Sequence, residues 1–460
     1  MEITVMEIVI AEIKEFVASV ASFVWGVPML VLLVGTGIYL TIILRGIQFR
    51  AMGHAFRLIF HKEHDSEGEI SHFSALTTAL AATVGIGNIV GVATAISLGG
   101  PGAVFWMWMT GLVGMATKYS EAVLAVKYRE KGAQGYKGGP MYYIANGLNL
   151  KWLGFLFALF AVFASFGIGN MTQANAVSKI ILHSSESSGA SIPTWVSGLV
   201  MSGLTALVVF GGIKSIGKCT SFLVPFMIAI YVITAMIIIV LHLDKVIPAL
   251  GDIFKYAFTP ISAFGGFVGA AVASAIRYGL ARGVFSNESG LGSAPIAAAA
   301  AKTNDPVKQA LVSMTQTFID TLIVCTMTAV VILSAPYWSQ KGVSSGELTL
   351  LSFQHYLGDF GGWVIIISTV LFGYSTILGW SYYGEKAFEF LAGEKISLVF
   401  YRAVFICIIM LGATTELEFV WNFSDMANGL MAIPNLIALL LLSKVIKQET
   451  DRYFEAKKIK

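Results

Sequence analysis

Apolar runs long enough to cross a bilayer recur along the whole chain, separated by short segments that hold nearly all of the Lys, Arg, Asp and Glu. A helical span needs about 20 mainly apolar residues, and on that measure the pattern predicts eleven spans, at 24–44, 72–96, 102–127, 152–182, 193–211, 219–242, 262–282, 308–334, 361–389, 397–413 and 417–443. Ahead of them, Ile3, Met6, Ile10, Ile13 and Val17 alternate with acidic residues, the pattern of an amphipathic helix lying in the membrane interface over 1–20. One stretch departs from simple spanning. Residues 71–117 contain no Lys, Arg, Asp or Glu and turn at Gly99-Gly100-Pro101, yet the first span carries Thr83-Val84-Gly85-Ile86-Gly87-Asn88 at its middle and Gly91 just beyond. Glycine weakens a helix by about 1 kcal/mol against alanine, and freed backbone groups at bilayer depth must face protein or a polar cavity. The expectation is a helix interrupted near the midplane, the way many secondary transporters build a binding site.

Composition agrees with a polytopic all-α membrane protein: 460 residues, 56% hydrophobic and 12% charged, half the charged share of a soluble domain. The net charge of +3 is uninformative, but the distribution of charge is not. With the N-terminus outside, the outer segments hold only Lys14, Lys179, Lys245, Lys255 and Lys341 of the 30 Lys and Arg, and Lys118 falls within a span. The positive-inside rule then puts the C-terminus in the cytoplasm. Cys219, Cys325 and Cys407 are scattered in apolar surroundings and indicate neither a disulfide framework nor a metal site. The N-terminus has no basic stretch of the kind that opens a signal peptide.

With the first span set aside, the other ten divide into two groups of five. An odd number per half gives the halves opposite topology, the inverted-repeat plan. The organisation expected is an interfacial helix (1–20), an extra span and cytoplasmic loop (21–70), two repeats (71–245 and 246–445) and a cytoplasmic tail (446–460). The second half opens on Gly265, Gly266, Gly269, the run Ala270 to Ala275 and Gly279, which suggests a second break. Close helix packing through small residues is the competing reading of these glycines, and of Gly87 with Gly91.

Two blocks, Gly99 to Gly114 (GGPGAVFWMWMTGLVG) and 279–300 (GLARGVFSNESGLGSAPIAAAA), resemble signatures of the alanine/glycine:cation symporter family, also called sodium:alanine symporters, within the amino acid–polyamine–cation superfamily. The resemblance covers essentially the whole chain. It implies the five-plus-five fold of the bacterial leucine transporter with one extra N-terminal span, and sodium-coupled symport of small neutral amino acids, alanine and glycine, by alternating access. The run Val84-Gly85-Ile86-Gly87-Asn88 is similar to the broken region of the first core helix in that fold, where freed N–H groups hold the substrate carboxylate. Below, the ten spans from 72–96 onward are core helices 1 to 10.

A zwitterionic amino acid needs N–H donors for its carboxylate, best at a helix N-terminus, and oxygen acceptors for its ammonium. Gly85, Ile86, Gly87 and Asn88 suit the first. Carbonyls around Ala270 to Ala273, with Thr78 or Ala82, are candidates for the second. Asn170 and Gln173 share a face of core helix 3 and are read as facing the pocket, with helix–helix adhesion as the alternative. Phe166, Ile276 and Phe372 are expected as pocket walls, and Ala273 as a contact beside Ile276. Sodium needs a cage of hard oxygens. The resemblance implies the carbonyls of Ala81, Val84 and Phe372 with the hydroxyls of Ser375 and Thr376, against the default in which both hydroxyls bond their own helix. Among charges in spans, costly by at least a few kcal/mol each, Glu121 follows Lys118 by three and is expected to pair with it. Arg277, Arg282 and Glu288 are expected at the cytoplasmic end of core helix 6 as an inner gate. Asp425 is expected at an outer gate, and Asp320 has no evident local partner.

The seven histidines show no metal or nucleophile–base spacing, so no enzyme activity, resident cofactor or nucleic-acid partner is expected; sodium is the coupling ion. A proton-coupled symporter of the same fold and, further off, a channel are the alternatives. The location implied is the cell membrane, multi-pass, with oligomeric state undetermined.

Overall fold

The computed structural model describes residues 5–61, 66–132, 135–187, 189–259, 268–340 and 342–457. Nearly all of it is helix. The first helix, α1 (Val5–Val24), meets α2 (Val27–Ile43) at a 44° bend. Then come α3 (His72–Thr83), α4 (Val90–Gly99), α5 (Gly102–Lys127) and a small hairpin, β1 (Glu130–Gly132) and β2 (Gly135–Lys137). Next follow α6 (Lys151–Phe166), α7 (Thr172–Ser187), α8 (Thr194–Val209), α9 (Gly212–Leu241) and α10 (Leu243–Tyr256). The second half holds α11 (Val268–Asn287), α12 (Pro295–Ala298), α13 (Pro306–Thr317), α14 (Thr326–Ser334), α15 (Ser345–Ala392), α16 (Glu394–Thr414), α17 (Leu417–Leu441) and α18 (Ser443–Lys457). π-helical turns join α6 to α7 at Gly167–Met171 and α13 to α14 at Phe318–Cys325. The long α15 is two helices meeting at Gly358.

Among the described residues, five helices are long and apolar enough to cross a membrane, or up to seven if each of two bent pairs is one span. Two further apolar helices, Thr194–Val209 and Val399–Thr414, are shorter. Burial runs opposite to that of a soluble protein: Phe23, Leu207, Phe222 and Leu241 point outward while Asn88, Glu121, Glu288, Asp320 and Asn435 are fully buried. That is the distribution a lipid solvent selects.

Local chemistry sets the helix starts. The Ser71 hydroxyl accepts from the Ser74 amide (3.1 Å) ahead of α3. Asp305 accepts from the Val307 amide (2.9 Å), with Pro306 in the first turn of α13. α5 lies at the centre, against α2, α11 and α13, while α15 packs on α6 and α9, and α17 packs on α6 and α1.

The helix opening the second half departs from the sequence reading. It is continuous through Ala270 to Ala273, and the break comes later, after Asn287. Gly265 and Gly266 lie outside the described residues. Gly279 serves packing: a Cβ there would meet the Ala103 carbonyl oxygen at 2.3 Å, and one at Gly283 would meet Thr110 Oγ1 at 2.3 Å. Small residues four apart let α11 seat directly on α5. We therefore expect Gly279→Val to cost roughly 1–3 kcal/mol, seen as a lower melting temperature in detergent. Gly91→Ala, whose Cβ has no neighbour within 4 Å, should leave that temperature unchanged or raise it.

Candidate functional site at two helix breaks

α3 ends at Val84, the chain extends through Gly85, makes one 3₁₀ turn over Ile86–Asn88 and resumes as α4 at an angle of 59°. Every freed group for which a bond is seen is met by a side chain or by the turn itself. The Gly85 amide donates to Asn88 Oδ1 (3.0 Å) and the Ile86 amide to Gln173 Oε1 (3.2 Å). The Asn88 and Ile89 carbonyls accept from Thr328 Oγ1 (2.7 Å) and Thr349 Oγ1 (3.0 Å).

The second break runs from Glu288 to Ala294, between α11 and α12. Glu288, Gly290 and Gly292 all have positive φ (56°, 89° and 83°), a conformation that glycine adopts without steric cost. Glu121 Oε1 accepts from the amides of Gly290 and Gly292 (3.1 Å each) and from Asn435 Nδ2 (2.7 Å). Lys118 Nζ donates to the Glu288 carbonyl oxygen (3.0 Å). The Glu288 carboxylate itself accepts from Trp380 Nε1 (2.7 Å) and Ser293 Oγ (2.6 Å). Lys118 and Glu121 thus spend their charges on the broken backbone of α11–α12.

Asp320, in the π-helical turn after α13, ties the two breaks together. Its Oδ1 accepts from Asn88 Nδ2 (2.8 Å), and its Oδ2 accepts from Ser286 Oγ (2.9 Å) and Thr321 Oγ1 (2.8 Å). Gly87 lies against the end of α11, where a Cβ would come within 3.2 Å of Phe285 Cδ1 and 3.3 Å of Ser286 Cα.

Beside the first break lies a set of uncharged oxygens. Thr376 Oγ1 is 3.0 Å from both the Ala81 and Phe372 carbonyl oxygens, and Ser375 Oγ lies 3.3 Å and 2.9 Å from the same two. The hydroxyls bond their own helix, and they also reach across to α3. A Cβ on Gly85 would fall 2.4 Å from Thr376 Oγ1. Val84 caps α3 between the oxygen set and Gly85. Buried neutral carbonyls and hydroxyls are the donor chemistry a hard monovalent cation takes.

Other residues named from the sequence lie elsewhere. Asn170 Nδ2 donates to the Phe405 carbonyl (2.7 Å), which turns it toward α16. Phe166 stacks on Tyr401 (5.8 Å), and Phe372 packs on Tyr231 (5.4 Å). Ile276 is half-buried and Ala273 exposed, about 18 Å and 22 Å along the helix before Glu288 at 1.5 Å per residue. Phe166 and Phe372 thus pack toward different helices, α16 and α9, Ile276 lies more than three turns before the second break, and the carbonyls of Ala270 to Ala273 stay inside a regular helix. The Thr78 hydroxyl faces Thr220 (3.3 Å) on α9.

Arg282 is also relocated. It lies before the break, on the side lined by α4, and pairs with Asp425 (2.5 Å) while stacking over Trp421 (4.9 Å) and Phe285 (5.2 Å). Above it opens a cavity of about 1070 Å³, lined among others by Trp25, Thr94, Arg277, Glu347 and Trp421. Trp25 Nε1 donates to the Asp425 carbonyl (2.8 Å). The inner gate expected from Arg277, Arg282 and Glu288 is thus corrected: the two arginines border this vestibule and Glu288 sits within the break. Sequence reasoning missed the roles of Glu121, Ser286 and Trp380. Asp320 carried a signal, an ionisable residue in mid-span, but its partner Asn88 is 232 positions away.

Lipid-facing helices that enclose two breaks and a polar crossing between them define a membrane transporter. The chain belongs to the sodium:alanine symporter family, whose model matches residues 10–460. It is 51% identical over 452 residues to the sodium/alanine symporter AgcS of Methanococcus maripaludis, covering 96% of this chain and 97% of that protein. It is 35% identical over 453 residues to the amino-acid carrier protein AlsT of Bacillus subtilis, covering 95% and 94%. Its fold resembles that of MhsT in complex with L-phenylalanine, with a TM-score of 0.61 at 14% identity over 84% of this chain and 93% of that one. The family is one of transporters, not enzymes.

Asp320→Ala should leave Asn88, Ser286 and Thr321 short of an acceptor in a buried site. A hydrogen bond to a charged group contributes about 1.5–3 kcal/mol. We expect a clear loss of thermal stability in detergent, measured as a lower melting temperature.

Proposed function

We propose that this protein carries small neutral amino acids, alanine and glycine, together with sodium across the cell membrane by alternating access. The architecture proposed is eleven spans, ten of them in two inverted repeats, with the N-terminus outside and the C-terminus in the cytoplasm. The observation that carries the proposal is the adjacency of two sites: the amides of Gly85 and Ile86, and the Ala81–Phe372–Ser375–Thr376 oxygen set, separated by little more than the width of Gly85. Family membership supports it independently.

On this reading the substrate carboxylate takes the amides of the Gly85–Asn88 turn, at the N-terminal end of α4, where the helix dipole also favours an anion. Gln173 Oε1 accepts from the Ile86 amide, so Gln173 makes way as the carboxylate arrives. Sodium sits among the carbonyls of Ala81, Val84 and Phe372 and the hydroxyls of Ser375 and Thr376. An ion there lies close to the carboxylate, and the attraction between them in a buried site couples the two cargoes.

The deciding experiment is uptake of labelled alanine into proteoliposomes under an imposed sodium gradient, compared with a proton gradient. Sodium-driven accumulation is expected. Accumulation driven by protons alone would favour the proton-coupled alternative, and ungated downhill flux would favour a channel. Thr376→Ala should raise the sodium concentration for half-maximal uptake about 10-fold, equivalent to roughly 1.4 kcal/mol, with little change in the preference for alanine over glycine. Gln173→Glu would place a carboxylate where the substrate's belongs. Alanine affinity, measured by competition binding, should then fall at least ~10-fold with the protein still monodisperse.

A further inference from the structure

At the end of α3 away from the vestibule, the chain entering the first broken helix is stitched to the chain leaving the second. Ile70 and Ala301 form a parallel bridge. The amides of Glu69 and Ile70 donate to the Ala300 carbonyl (2.8 and 3.2 Å), that of Lys302 to Ile70 (2.7 Å) and that of Thr303 to Glu67 (2.9 Å). The Glu67 amide donates to Asn304 Oδ1 (3.0 Å). Such pairing needs close approach, and Gly68 permits it: a Cβ there would lie 2.3 Å from the Ala301 carbonyl oxygen and 2.6 Å from Lys302 Cα, at a φ of 136° that side chains rarely adopt.

One guanidinium spans the seam. Arg129, just past the end of α5, donates through Nη1 to the carbonyls of Ala299 (3.0 Å) and Ala301 (2.8 Å), and through Nη2 to those of Glu67 (3.0 Å) and Thr303 (2.6 Å). Its other face lies over the Tyr136 ring at 4.4 Å. Four carbonyls from two chain segments converge on a single planar cation, and no carboxylate is among these four acceptors. An ion pair would fix a side chain. This arrangement fixes two backbones to each other, and it draws both from the two helices whose breaks form the transport site.

We infer that Arg129 and the Ile70–Ala301 seam are the closed inner gate, holding shut the face opposite the vestibule until the two half-helices part. The inference rests on the alternating-access reading above. The cavity lies at the far end of the first broken helix, lined by Thr94, and the seam is complete at the near end, the arrangement of a carrier closed on the seam's face. For cargo to leave by the other face, α3 and α12 must separate. The main-chain bonds then break together with the four that Arg129 makes. The planar fork matters: an ammonium at this position has no geometry to hold the three carbonyls of residues 299–303 and that of Glu67 at once.

The test reads accessibility on both faces. A reporter thiol at Thr77→Cys, buried on α3 within two turns of the seam, and another at Thr94→Cys on the vestibule side are labelled with a bulky maleimide in the purified full-length protein. Labelling at each position is quantified by peptide mass spectrometry. Arg129→Gln and, separately, Gly68→Ala should speed labelling at position 77 by roughly 10-fold, the factor that about 1.4 kcal/mol of closed-state preference supplies, without speeding it at position 94. Arg129→Lys should fall between. Wild-type rates at 77 in both variants, or rates rising equally at 77 and 94 as in general loosening, would overturn the gate. Bridge partners lie about 4.8 Å apart, within disulfide range. An Ile70→Cys, Ala301→Cys pair, once oxidised, should therefore stop alanine uptake while leaving alanine binding intact, and reductant should restore uptake. Continued uptake with the bond formed would also overturn it. If the wild type takes up no alanine under any gradient, the transport reading fails, and the labelling result still judges the seam.

Discussion

A helix can be interrupted inside a bilayer only if something other than water takes up the N–H and C=O groups it releases. This constraint organises the molecule. The first break is satisfied by Asn88 and Gln173 on its donors and by Thr328 and Thr349 on its acceptors. The second is satisfied by Glu121 on two glycine amides and by Lys118 on a carbonyl. Lys118 and Glu121, charges that would be prohibitive in lipid, take the place of backbone bonds lost at the second break, and α5, which carries both, lies at the centre of the bundle. Asp320 then joins the two regions in one polar network, bonding Asn88 in the first break and Ser286 at the end of α11, just before the second.

What the sequence disclosed, and what it withheld, divides along the same line. The first break was legible because Gly85, Ile86, Gly87 and Asn88 interrupt a run with no other reason to be polar. The second was placed too early, because a cluster of glycines and alanines has two uses and the sequence does not say which. Gly279 and Gly283 turned out to seat α11 on α5, whereas the break needed positive φ at Glu288, Gly290 and Gly292 and a carboxylate from a helix more than 160 residues upstream. Asn170 and Gln173 share a helix face by spacing, yet one reaches α16 and the other the first break. The π-helical turn at Gly167–Met171 alters the facing that a regular helix predicts. Long-range partners such as Asn88 with Asp320 leave no trace in spacing at all.

The added N-terminal helix pair is more than a membrane anchor in this arrangement. Trp25, at the bend between α1 and α2, bonds to the backbone of the residue whose carboxylate pairs with Arg282, and Lys14 reaches Glu416 at the start of α17 (2.5 Å). The exposed Lys14 pair contributes little by itself. The buried indole fixes where α17 presents Asp425 to the vestibule, so this wall of the cavity is braced from the bend between α1 and α2.

The amide of Gln173 resting on the Ile86 N–H changes what ligand binding means on the transport reading. A buried donor left bare would cost about 1–3 kcal/mol, and a carrier must pass through its midpoint without cargo once in every cycle. With a resident oxygen already in place, arrival of the carboxylate is an exchange of one acceptor for another and not the filling of a void. The unloaded protein can turn around without exposing an unsatisfied donor, and the balance of affinity shifts to the ion beside it and to the ammonium end of the substrate.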